Sequence, residues 1–184
     1  MKLISAIILA GGHSSRMGQN KAELDFHGIS LLQHQVNNVR ALGIEDIVIA
    51  GGNTPIAGTR IVTDLFPSRG PLSGIHAGLS AIRTSRALVL AVDTPLVPED
   101  TLKNLIETHR DGITVLSLRG EPEPLIGVYD RALLKECEGF LHEENTSLKR
   151  FLRMIGIEMV EYTGDPAMLI NCNTPEEYQK ILRL

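Results

Sequence analysis

Apolar residues along this chain fall into two alternating patterns. Leu3–Ala10 is a continuous apolar run, the pattern of a strand buried on both faces of a parallel sheet. A glycine-rich loop from Gly11 to about Gly28 follows, and Leu32, Val36 and Val39 then recur at helical spacing behind Ser30 and Gln33, which have capping-box spacing, until Gly43 stops the pattern. Asp46–Ala50 predicts a second strand and Arg60–Thr63 a short third one. Gly70-Pro71 breaks the chain before a helix over Ser73–Ile82, and Ala87–Val92 is a strand halted by Asp93-Thr94-Pro95. A helix over Glu99–His109 and a strand over Ile113–Leu118 come next.

The second half is less regular. Leu125–Tyr129 and Glu158–Tyr162 read as strands, Arg131–Glu138 and Ser147–Ile155 as short helices, and Glu121-Pro122-Glu123 as a loop. Thr174-Pro175-Glu176-Glu177 starts a last helix, with a cap, proline at the first helical position and a capping-box Glu. No repeat, low-complexity linker or composition break divides residues 1–184, so the expectation is one domain. Alternating strands and helices predict an α/β fold, a Rossmann-like three-layer sandwich around a mostly parallel sheet. Ligands of such sheets bind beyond the carboxyl ends of the strands, which directs attention to the residues just after Ala10, Thr63 and Val92.

Composition removes several function classes. With 43% hydrophobic and 22% charged residues over 184 positions, wholesale disorder is excluded. A net charge of −4, no basic run and few aromatics (four Phe, three Tyr, no Trp) argue against nucleic-acid and anionic-membrane partners. Cys137 and Cys172 form no C-x-x-C pair and the six histidines lack ligand spacing, so no structural zinc is expected and a cytoplasmic, reducing setting fits. The first residues resemble a signal peptide, but the apolar stretch is short and Arg16 and Lys21 come soon after it, so a buried strand is the reading and a signal peptide the alternative.

The chemistry concentrates in Leu9–Lys21. Gly11-Gly12 at a strand end lets backbone approach a ligand and aim N–H groups at an anion, and Arg16 and Lys21 add two cations. Together they read as a polyphosphate cradle; an ordinary βα turn with solvated charges is the alternative. The spacing of Gly11, Gly12 and Gly18 fits neither the dinucleotide fingerprint nor the P-loop.

This loop resembles the signature loop of the molybdenum cofactor guanylyltransferases, within the wider nucleotidyltransferase superfamily. Further matches occur in the family's order: Gly70-Pro71-Leu72-Ser73-Gly74, Asp93-Thr94-Pro95, Pro124–Tyr129, and Asn171-Cys172-Asn173-Thr174-Pro175-Glu176-Glu177. The resemblance implies the nucleotidyltransferase-type α/β fold and transfer of GMP from GTP to the terminal phosphate of molybdopterin, with Mg²⁺ as cofactor. It also implies, as further partners, other molybdenum cofactor biosynthesis proteins and apo-molybdoenzymes. Carried over residue by residue, Leu9, Ala10, Gly11 and Gly12 line the guanine and ribose side, and Arg16 and Lys21 hold the phosphates. Asp64 contacts the nucleotide, and Gly70, Pro71, Leu72 and Gly74 form the wall against the base. Asp93 is the Mg²⁺ ligand, joined by Asn173.

Apart from the resemblance, a carboxylate at the end of a buried strand is a rigid hard-oxygen ligand, although Asp-Thr-Pro also serves as a turn. Asn173 reads equally as a turn residue before the Thr174 cap. The chain departs from the family at Asn20, where Asp is usual, and at Ala50, where an Asn contacts nucleotide; Asn53 is the nearest substitute. CTP or another phosphorylated acceptor, and a silent nucleotide-binding protein of the same fold, are the competing functions. His76 is expected to face the pocket or cap a groove. The acidic charge of Glu121 and Glu123 would not welcome a phosphorylated pterin unless Arg119 offsets it.

Overall fold

The computed structural model describes residues 3–11 and 20–184. The first apolar run becomes β1 (Ser5–Leu9), entirely buried. A 3-10 turn over Lys21–Glu23 leads into a small hairpin, β2 (Asp25–Phe26) and β3 (Ile29–Ser30). Next in the chain are α1 (Leu31–Ala41), β4 (Ile47–Ala50), β5 (Thr59–Val62), α2 (Pro71–Ala81), β6 (Arg86–Ala91) and α3 (Glu99–Thr108). Then come β7 (Ile113–Leu118), β8 (Glu121–Asp130), α4 (Leu134–Leu141), α5 (Leu148–Ile155), β9 (Glu158–Glu161) and α6 (Pro175–Ile181), with a 3-10 turn over Pro166–Leu169.

Seven strands form one sheet in the order β5-β4-β1-β6-β8-β7-β9. All its pairings are parallel except those of β8, which runs antiparallel to both β6 and β7. The faces divide the residues of β1 between two cores. Ala6 and Ile8 pack with α1, α3 and α6 through Leu32, Val36, Leu105 and Ile181. Ile7 and Leu9 pack with α2, α4 and α5 through Leu72, Ile75, Phe140 and Phe151. Period-two alternation in a strand with apolar cover on both sides requires such an unbroken apolar run. The expected three-layer α/β architecture is present. Among the described residues no helix is long and apolar enough to cross a membrane.

Three local expectations need correction. The segment before Ser30 is not loop throughout: His27 and Gly28, with φ of 53° and 89°, close the β2–β3 hairpin, and Phe26 is buried. Glu121-Pro122-Glu123 is strand, not loop. Arg119 and Gly120, with φ of 55° and 79°, turn the chain so that pairing resumes at once, Leu118 opposite Glu121. α2 begins at Pro71, two residues early, because proline is pre-set for the first helical turn. Caps behave as read: Ser30 accepts from the Gln33 N–H, and Thr174 and Glu177 complete a reciprocal capping box.

The pairing of β7 with β8 shifts register between Val115 and Leu116: Val115 faces Gly127 while Leu116 faces Glu123. The buried Tyr129 hydroxyl donates to the Pro124 carbonyl at 2.6 Å and pins this bulge.

α2 lies so close to β1 that a Cβ at Gly78 would come within 2.5–2.8 Å of three Ile7 side-chain carbons. Gly78→Ala is therefore expected to destabilise the protein by about 1–3 kcal/mol from overpacking, despite alanine's better helix propensity. A urea midpoint at or above that of the wild type would show that the two elements have room to spare.

Candidate active site

The carboxyl ends of β1, β4, β5 and β6 open on one cavity of about 550 Å³. Its lining includes Leu9, Gly11, Asp64, Gly70, Pro71, Gly74 and Asp93, all singled out in the sequence, together with Ala50, Gly51, Ser68, Ala91 and Leu125. The three strand ends named from topology thus deliver Gly11, Asp64 and Asp93 to the same space. Ala10 is buried, with its N–H bonded to the Ala50 carbonyl. Leu72 turns into the α2 core and is not among the lining residues. Gly12 and Arg16 lie outside the described residues.

Two glycines let the strand ends meet. A Cβ on Gly11 would stand 2.9 Å from the Gly51 Cα, and one on Gly51 would stand 2.7 Å from the Gly11 Cα; Gly51 also has φ of +77°. Backbone there approaches backbone, which only residues without a Cβ permit. Asn53 is exposed and does not line the cavity, so it does not stand in at Ala50, which itself lines the wall at this strand end.

Lys21 is the electrostatic centre. Its ammonium donates to Asp93 Oδ2 at 3.1 Å and to Asn173 Oδ1. The side chains of Lys21 and Asp93 are only 18% and 21% exposed, so water screens the pair weakly. The segment carrying Asn173 reaches this point because the Cys172 N–H donates to the Asp93 carbonyl at 2.7 Å. Glu177 accepts from the Asn173 N–H as well, anchoring the segment to α6. The thiols of Cys137 and Cys172 are buried, which raises them to about 12 and about 11, so both are inert at neutral pH.

Asp64 behaves differently. Its Oδ1 is buried and has no hydrogen-bond partner among the described residues, and the same holds for Ser73 Oγ and His76 Nδ1 behind it. Burial pushes its carboxyl above the ordinary value, against the opposing influence of the Ser73 hydroxyl and of His76. His76 packs edge-on against Phe66 at 5.3 Å, and burial lowers its pKa. It supports the wall from behind and does not line the cavity.

A second cavity, of about 730 Å³, adjoins the first and shares Ser68, Gly70, Pro71 and Leu125 with it. Thr94, Glu123, Asn145, Ser147, Lys149 and Asn171 complete much of its lining. Burial raises the Glu123 carboxyl, opposed by the charge of Lys149, while Arg119 is exposed at the β7–β8 turn. Sequence reasoning missed Ser68, Leu125 and Lys149. Ser68 has a left-handed backbone (φ 64°), and Leu125 rides on the bulge, neither of which leaves a local signal.

Residues 6–161 match the family described as MobA-like NTP transferase domain. A protein of Carboxydothermus hydrogenoformans named "Probable molybdenum cofactor guanylyltransferase" is 32% identical, over 100% of this chain and 98% of its own length. A molybdenum cofactor guanylyltransferase of Desulfosudis oleivorans is also 32% identical, over 98% and 95%. The crystal structure of molybdopterin-guanine dinucleotide biosynthesis protein A from Archaeoglobus fulgidus superposes with a TM-score of 0.81 at 20% identity, covering 98% of this chain and 97% of that one.

The Asp64 carboxyl yields a pH prediction. A folded-state pKa above the ordinary 3.8 means that its contribution to stability is complete below that value and is lost as pH rises through the folded pKa. Asp64→Asn removes the loss, so the melting temperature of the variant relative to wild type should climb as pH increases from about 4 to 7. A difference that stays flat or falls over this range contradicts the burial argument.

Proposed function

The chain belongs to the MobA-like NTP transferase family, and on that premise we propose that it transfers GMP from GTP to the terminal phosphate of molybdopterin, releasing pyrophosphate. One observation carries the reading: two adjoining cavities share a wall, and Asp93 stands at the strand end in the first while its neighbour Thr94 lines the second. Such a pair suits a reaction in which two phosphorylated molecules meet. The acceptor phosphate oxygen bonds to the α-phosphorus of GTP as the bond from that phosphorus to the bridging oxygen breaks, and pyrophosphate leaves with the electron pair. Because the acceptor is already ionised, the protein has to neutralise charge and align two anions, not to remove a proton.

The residues present fit Mg²⁺. Asp93 and Asn173 direct hard oxygens at one ammonium, so this spot already favours a cation. Asp93 and Asn173 would hold it, and when bound it supplies Lewis-acid neutralisation of phosphate oxygens. Lys21 supplies positive charge to the transferring phosphate, and Arg16 joins it on the departing pyrophosphate. Gly11, Gly51, Gly70 and Gly74 give the base a wall of backbone. The Asp64 oxygen, without a partner among the described residues, is an acceptor for ribose hydroxyls or for the N1–H and N2–H donors of guanine.

The test is a panel of GTP, CTP and ATP, assayed for pyrophosphate release with and without molybdopterin and divalent cation. GTP should be preferred, because a buried acceptor facing a base without matching donors costs about 1–3 kcal/mol. CTP bound as tightly as GTP overturns guanylyl specificity and leaves nucleotidyl transfer standing. Asp93→Ala should lower turnover by at least about 100-fold in a folded protein, and Lys21→Ala should reduce kcat more than it raises the KM for GTP. Near-normal turnover of Asp93→Ala, or a pure KM effect at Lys21, removes the respective role.

A further inference from the structure

Gln35 lies on the inward face of α1 among Leu31, Leu32, Val36 and Val39, and only 2% of it is exposed. A buried primary amide carries two N–H hydrogens, and each one left without an acceptor costs about 1–3 kcal/mol. Both are satisfied in one place. Gln35 Nε2 donates to the Ala91 carbonyl at 2.8 Å and to the Thr94 carbonyl at 2.9 Å. These carbonyls bracket Asp93 in the chain. The preceding residue reaches the same turn, with His34 Nε2 lying 2.9 Å from the Pro95 carbonyl. Asn38, one helical turn on from His34, donates to the Gln35 side-chain oxygen at 3.4 Å and so occupies the amide's remaining polar atom.

An apolar residue would fill this part of the core without desolvating an amide, so packing alone does not call for Gln35. What the amide adds is a fixed backbone on both sides of Asp93. Opposite α1, the Cys172 N–H holds the Asp93 carbonyl from the segment that brings in Asn173. The turn is therefore gripped from two directions, and the carboxylate leaves it along one line, toward Lys21.

The geometry points to Gln35 as a positioning residue that sets the direction of the Asp93 carboxylate and thereby the cation affinity of the site. It touches no substrate and acts through the Ala91–Thr94 turn. The inference rests on Asp93 as a metal ligand, and the experiment separates the two claims. Binding of Mn²⁺ to the full chain is followed by electron paramagnetic resonance, and binding of GTP is measured in EDTA. Two variants are compared with wild type: Gln35→Met, which keeps the volume, and Gln35→Glu, which keeps the shape but not the two donors. Each should raise the Mn²⁺ midpoint roughly 10- to 100-fold, the usual effect of removing a group that orients a metal ligand. Metal-free GTP binding and the circular dichroism spectrum should stay as in wild type. An unchanged Mn²⁺ midpoint in both variants overturns the inference. So does an equal loss of metal-free GTP binding, or unfolding of both proteins, since either assigns Gln35 to general stability. If Asp93→Ala leaves wild-type Mn²⁺ binding intact, the metal reading of Asp93 falls and this inference with it; Asp93-dependent binding with unmoved Gln35 variants removes this inference alone.

Discussion

One ammonium group ties three distant stretches of chain together. Lys21 enters from the loop after β1, Asp93 from the end of β6, and Asn173 from the segment before α6, at separations of 72 and 152 residues from Lys21. Charge-assisted bonds of this kind contribute about 1.5–3 kcal/mol each when shielded from water, and they also fix where these three side chains sit. The carboxylate and the amide oxygen present acceptors only, so they share a point in space because a cation stands between them. Everything else at this end of the sheet is arranged around that contact.

The sheet supplies the rigidity. β1 and β6 are adjacent, parallel and buried, so the residues beyond them emerge side by side. β8 differs: as the single antiparallel strand of the large sheet, its bulge leaves the ladder beside β6 and carries Leu125 into the wall between the cavities. A regular parallel strand there would keep its side chains within the two cores. The irregular pairing gives the second cavity its boundary.

How much of this was legible in the sequence depended on how local each signal is. The unbroken run of β1, the stop at Asp93-Thr94-Pro95 and the box at Thr174–Glu177 are contiguous, and all three appear where read. The β2–β3 hairpin was missed because two-residue strands carry no periodicity. The start of β8 was hidden by Pro122 and Pro124, which lower strand propensity; Pro122 still pairs opposite Ser117, and Pro124 falls in the bulge. Gln35 was overlooked because a polar residue on a helix ordinarily faces solvent. Lys149 opposite Glu123 joins elements whose proximity only the fold creates. Asn173 gained a role solely through family resemblance; its nearness to Asp93 comes from a backbone bond between Cys172 and Asp93 that no local pattern announces.

The 152-residue span between Lys21 and Asn173 also bears on how the protein is made. A ribosome adds about 5–20 residues per second, so Asn173 is synthesised roughly 8–30 s after Lys21. In that interval β1, β4 and β6 are already available to build the centre of the sheet, with α1 and α2 to cover it. The emerging chain can thus acquire its central sheet well before the last acceptor, Asn173 Oδ1, arrives. Vectorial synthesis therefore leaves the three-way contact at Lys21 to be closed almost at the end of translation, onto a sheet that is already built.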